Sequence, residues 1–168
     1  PQQQAALLEF MEQDTYCRRY RDLFLILLHT GLRAGECAGL TVEDIHLHSG
    51  YLQVDHQVYY SPEQGGMVWA PPKTEKSCRK IPLTAPAAEA LQRRILVARQ
   101  FGRCQVIGQR RHFLFPCLNG SRPLHGVDFD RIFRNVHRRY AQSGGIPIAA
   151  LTPHILRHTF CTGLVRRG

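Results

Sequence analysis

Two arginines, a pair of histidines and a lysine carry the chemistry this sequence can do. Residues 151–159 read L-T-P-H-I-L-R-H-T. Thr152 is suited to cap a helix and Pro153 to open its first turn. In that helix His154, Arg157 and His158 fall at i, i+3 and i+4 and share one face, while Ile155, Leu156, Phe160 and Leu164 take much of the remainder. A guanidinium fork beside imidazoles suits an oxyanion such as a phosphate. Structural helices carry the same pattern often enough that the decision rests with the rest of the chain.

Upstream, the aliphatic run from Leu23 to Leu28 ends in His29-Thr30-Gly31-Leu32-Arg33-Ala34-Gly35-Glu36. The run is expected to form a buried helix that Gly31 terminates, with Arg33 opening the next short helix from the protein interior. An arginine in such apolar company needs an anion, and Glu36 at i+3 is the nearest. A purely structural Arg33–Glu36 pair would satisfy the same pattern. Between the two segments, P-K-T-E-K-S-C-R-K-I-P-L at 72–83 follows two strand-like stretches, 51–54 and 57–60. This reads as a small antiparallel sheet whose hairpin tip carries lysine. Taken alone, the stretch favours a solubilising charged tip, the commonest fate of such hairpins.

Together, T-G-L-R-A-G-E, P-K-T-E-K-S-C-R-K-I-P-L and T-P-H-I-L-R-H-T-F, in this order, resemble the signature of the tyrosine recombinases, the phage integrase family. The resemblance spans nearly the whole chain. It implies a mainly helical α+β catalytic domain with a small antiparallel sheet, of the DNA breaking-rejoining type. It makes Arg33 the first catalytic arginine, Lys73 the hairpin lysine, and His154 and Arg157 the histidine and arginine of the H-x-x-R box. Glu36 matches the acid that supports the first arginine, and His158 the histidine that follows the second. Lys76 and Arg79 are expected to contact DNA.

The reaction implied is attack by a tyrosine hydroxyl on a DNA phosphodiester, giving a phosphotyrosyl link and a free 5′-hydroxyl, with neither metal nor cofactor. Fixed guanidinium charge would then offset the negative charge of the transition state, as Arg33 and Arg157 can. Lys73 could protonate the leaving 5′-oxygen, and His154 either donates to a phosphate oxygen or shuttles the nucleophile's proton. The resemblance further implies double-stranded DNA as partner, self-association on DNA as a tetramer, and a cytoplasmic, nucleoid-associated setting of bacterial or phage type. One departure stands out. The family's tyrosine lies downstream of the H-x-x-R box, whereas Tyr16, Tyr20, Tyr51, Tyr59, Tyr60 and Tyr140 all lie upstream. Residues 1–168 are therefore expected to be a catalytic-domain fragment lacking the N-terminal DNA-clamping domain and the nucleophile, with the tyrosine further along the chain or supplied by another subunit. A type IB topoisomerase-like enzyme and a non-catalytic DNA-binding module are the alternatives.

Composition sets the bounds. A net charge of +9 favours polyanionic partners through counterion release. No apolar run nears the ~20 residues of a membrane span. Six cysteines without a C-x-x-C pair give no zinc framework, and His154 and His158, though at i, i+4, flank Arg157 where a zinc helix would carry an acid. No metal site is expected. Helices are expected over 5–13, 18–29, 85–101 and 128–141, with the sheet over 50–83 and loop over 102–121. On the fourth-quarter helix, Phe129, Ile132, Phe133 and Val136 should face the core, and Arg93, Arg94 and Arg99 of the preceding one should face solvent or phosphate.

Overall fold

The computed structural model describes residues 2–72, 77–100 and 104–165, with side chains as far as residue 163. Lys73 and Lys76 lie outside the described residues. The described chain forms six α-helices, α1 (Gln2–Gln13), α2 (Arg21–Thr30), α3 (Ala34–Gly39), α4 (Ala85–Gln100), α5 (Gly126–Gln142) and α6 (Pro153–Val165). Five short strands join them: β1 (Ile45–His46), β2 (Tyr51–Val54), β3 (Gln57–Ser61), β4 (Gly66–Ala70) and β5 (Arg79–Pro82). The mainly helical α+β expectation holds.

Helix α2 is the centre of the packing. Leu23, Phe24, Leu25, Ile26 and Leu27 are all buried, so the helix is apolar around most of its circumference, as a core helix must be. Phe24 stacks on Phe133 of α5 with ring centroids 4.3 Å apart. Phe129, Ile132 and Val136 are buried as well, along the expected stripe of α5. Helix α4 packs against α2, with Ala90 and Leu91 in the shared core, and α6 lies on α2 as well.

The junction after α2 is set by backbone geometry. Gly31 takes the left-handed conformation at φ 61° and its N–H closes the helix on the Leu27 carbonyl at 3.0 Å. Glycine adopts that conformation without the steric cost of a side chain. A Cβ on Gly31 would also overlap the ring of Phe160 on α6. The bare backbone thus lets α6 rest directly on the end of α2.

Several local expectations are revised. The sheet over 50–83 is two separate units: a three-stranded antiparallel sheet in the order β1-β2-β5 and a β3–β4 hairpin. The turn of that hairpin lies between Ser61 and Gly66, and the lysine-bearing tip expected at Lys73 falls outside the described residues. Residues 17–20 form a 3-10 turn before α2, because the Asp14 carboxylate accepts from the Tyr16 and Cys17 backbone N–H groups and caps a separate turn there. Arg94 does not face solvent. Its guanidinium is drawn in over the Phe115 ring and donates twice to the Leu114 carbonyl, at 2.9 and 2.7 Å, while Arg93 pairs with Asp22. The apolar segment Phe113-Leu114-Phe115 that requires this is fully buried beside Leu40 and Thr41.

Gly31→Ala is expected to cost at least ~1–2 kcal/mol, since it adds left-handed strain to overlap with Phe160. An unchanged urea midpoint would show that α6 does not depend on this contact.

Candidate active site

Arg33 stands at the start of α3 with extended backbone (φ −73°, ψ 155°), and its position follows from the Gly31 turn two residues earlier. Its backbone N–H donates to Glu36 Oε2 at 2.8 Å, and its Nη1 to Glu36 Oε1 at 2.8 Å. The expected pair forms, but the two members differ in environment. Glu36 is buried at 4% side-chain exposure, whereas Arg33 is 50% exposed, contrary to the expectation that it opens from the interior. One terminal nitrogen of the guanidinium is held by Glu36, and half of the side chain is exposed.

Glu36 has a second cation that the sequence did not reveal. Arg79, on β5, donates from Nη1 to Oε1 at 3.0 Å and from Nη2 to Oε2 at 2.8 Å. Each carboxylate oxygen therefore accepts two hydrogen bonds. Burial by itself would raise the Glu36 carboxyl, yet the Arg79 fork, the Arg33 backbone N–H and the Arg33 guanidinium outweigh it and hold the group at about 2. Glu36 stays an anion throughout the working range of pH. The signal that could have found Arg79 is the inventory of Glu36 itself: a buried carboxylate offers more acceptor sites than one arginine fills.

Helix α6 begins as expected. Thr152 Oγ1 accepts from the Ile155 N–H at 3.2 Å, and Pro153 is the first helical residue. Leu156 is buried while His154 and His158 are exposed, which gives the helix an apolar side and an imidazole-bearing one. Arg157 is half-buried between them, and its Nη1 donates to the carbonyl of Gly31. The second arginine is thereby held to the junction from which Arg33 begins α3. Arg33, Glu36, Arg79 and Arg157 are brought together by α2, α3, β5 and α6. Of the remaining expected site residues, His154 and His158 lie on the same face of α6 as Arg157.

Among the described residues, Asp44, Asp55 and His56 are the one group of three side chains close enough to share a metal ion. Their atoms are already engaged. Asp44 accepts from the Thr41 N–H and hydroxyl at 2.8 and 2.7 Å and pairs with Arg110, and His56 Nε2 meets the Gly39 carbonyl at 2.8 Å. The cluster ties the end of α3 to the strands.

The half-exposed arginine pair, with one member anchored on a buried carboxylate and the other on a backbone carbonyl, fits the ordered signature read in the sequence, and residues 1–168 match the Phage integrase family throughout. The chain belongs to that family. The transposase from transposon Tn916 of Enterococcus faecalis is 33% identical over 169 residues, which cover 99% of this chain and 40% of that protein. Tyrosine recombinase XerD of Proteus mirabilis is 30% identical over 151 residues, 89% of this chain and 40% of the relative. The Tn1549 transposon integrase, solved in complex with circular intermediate DNA, superposes with a TM-score of 0.89 at 34% identity, over 100% of this chain and 54% of the solved one. XerA recombinase shares the fold at a TM-score of 0.69 and 19% identity. This integrase-family chain thus spans 40% of the length of the two sequence relatives.

Because the Glu36 carboxyl falls from its ordinary 4.5 to about 2 in the folded chain, its contribution to stability is present above 4.5 and is lost as pH drops toward 2. Glu36→Gln should cost on the order of 3 kcal/mol at pH 7, and the gap to the parent should narrow across that acid window. Denaturant unfolding at a series of pH values measures it. A gap independent of pH would show that the carboxylate is not held by the two arginines.

Proposed function

We propose that this chain supplies the arginine and histidine portion of a site that cuts and rejoins DNA strands through a phosphotyrosyl intermediate. It would do so within a longer recombinase that moves a mobile element. The observation that carries this reading is the tie of Arg157 to the Gly31 carbonyl, two residues before Arg33. Two guanidiniums that keep spare donors among the described residues then flank one junction. Arg33 and Arg157 would bind the non-bridging oxygens of the scissile phosphate, where charge builds in the transition state. Fixed guanidinium charge supplies this without proton exchange, because arginine stays protonated at working pH.

His154, exposed one turn before Arg157, would donate to the same phosphate or carry the nucleophile's proton, with His158 supporting it. Lys73 would protonate the leaving 5′-oxygen, and Lys76 would add a phosphate contact. The tyrosine nucleophile would come from a further segment of the same protein or from a neighbouring subunit. Because the phosphotyrosyl bond keeps the energy of the phosphodiester, a second 5′-hydroxyl can reverse the step on a new strand without ATP. Double-stranded DNA is the partner in this reading, with four subunits assembling on paired sites in the cytoplasm, beside the nucleoid. Among the described residues no helix is long and apolar enough to cross a membrane. The basic balance of the chain, with pI near 9.7, supports a polyanionic partner.

The test uses the full protein and a nicked suicide duplex carrying its attachment site, in EDTA. A covalent protein–DNA adduct is expected, lost in Arg157→Ala, while duplex affinity falls by less than about tenfold because it is spread over many phosphates. Adduct formation that survives Arg157→Ala would overturn the site assignment. Salt-sensitive binding with no adduct would favour a non-catalytic DNA-binding module.

A further inference from the structure

Arg33 and Glu36 by themselves form a neutral pair, which is a poor way to present positive charge to a phosphate. Adding Arg79 changes the sum. Two guanidiniums and one carboxylate leave the cluster with a single positive charge, and Arg79 supplies the excess. The geometry divides the labour between the two cations. Both terminal nitrogens of Arg79 are on Glu36, and its Nη1 also donates to the Ser77 carbonyl at 3.0 Å. Its side chain is 26% exposed, against 50% for Arg33. Arg79 is therefore spent on the carboxylate, while Arg33 touches Glu36 through one side-chain nitrogen and, among the described residues, keeps its other donors open.

We propose that Arg79 is a positioning residue that acts on the scissile phosphate only through Glu36 and Arg33. Its fork fills the acceptor sites that Arg33 would otherwise occupy with its whole guanidinium, so Arg33 is held by one edge and stays turned outward. It also fixes the start of β5 against α3. In place of the direct DNA contact expected from sequence, Arg79 joins β5 to the first arginine through Glu36. This inference rests on the proposed cleavage reaction.

The experiment compares Arg79→Gln, Glu36→Gln, the double variant and Arg157→Ala in the full protein, on the nicked suicide duplex at saturating DNA. Single-turnover adduct formation in Arg79→Gln should fall about 10²-fold, the penalty of a misplaced catalytic group. Duplex Kd and its dependence on salt should stay unchanged. The double variant should be no slower than Glu36→Gln alone, since Arg79 works through that carboxylate. Two results would overturn the proposal. One is a salt slope reduced by about 0.9, the mark of a lost phosphate contact. The other is a double variant slower by the product of the single effects. Should Arg79→Gln fail to fold, Arg79→Lys decides: a lysine replaces a phosphate contact well but cannot fork onto two oxygens, so slow cleavage supports the positioning role and normal cleavage refutes it. Arg157→Ala separates the two levels. If the parent's adduct depends on Arg157 while Arg79→Gln cleaves normally, only the role of Arg79 fails; if the adduct survives Arg157→Ala, the reading of the whole site fails.

Discussion

The buried carboxylate of Glu36 is the interaction on which the site depends. A lone charge taken out of water is costly, and this one is tolerated because each oxygen receives two hydrogen bonds from cationic or backbone donors. The requirement runs in both directions. Glu36 stays ionised because Arg33 and Arg79 surround it, and Arg33 keeps a fixed edge because Glu36 is anchored at the N-terminus of α3 by the backbone of Arg33 itself. The protein interior is used here to hold a charge at its surface in one orientation. Preorganisation of this kind matters for phosphoryl transfer, where rate comes from charge already in place.

The second arginine is positioned by different means. No carboxylate meets Arg157 among the described contacts; a backbone carbonyl, freed by the left-handed turn at Gly31, accepts from it. That acceptor lies just past the last residue of α2, so the cap of the helix offers Arg157 a site that needs no additional side chain. Phe160, one turn further along α6, packs over the same glycine and fixes the height of the helix above it. The two arginines thus converge through one short turn: Arg33 follows it in the chain, and Arg157 is bonded to it.

Much of this was legible in the sequence where the determinants are local. The Thr152–Pro153 start of α6, the apolar stripe of α5, the glycine stop after α2 and the Arg33–Glu36 pair all depend on residues within a few positions of one another, and each is present. The unread parts depend on long-range pairing. Arg79 meets Glu36 across 43 positions and Arg157 meets Gly31 across 126, and no periodicity marks either. Arg94 misled for the same reason: a helical arginine reads as solvent-facing until a distant apolar segment, Phe113-Leu114-Phe115, is seen to cover it and offer a carbonyl. Sheet division was hidden too, because β-favouring stretches do not state which partner they take. Lys73 and Lys76, outside the described residues, remain readings of the sequence.

Convergence of Arg33 and Arg157 on one phosphate is the claim from which the rest follows, and a crystal structure of the full protein on its nicked target duplex tests it most directly. The expected result is both guanidiniums donating to oxygens of the same phosphate, with Arg157 still bonded to the Gly31 carbonyl and Arg33 still held by Glu36. Arginines bound to separate phosphates, or a Glu36 that has released Arg33 to reach the DNA, would contradict it.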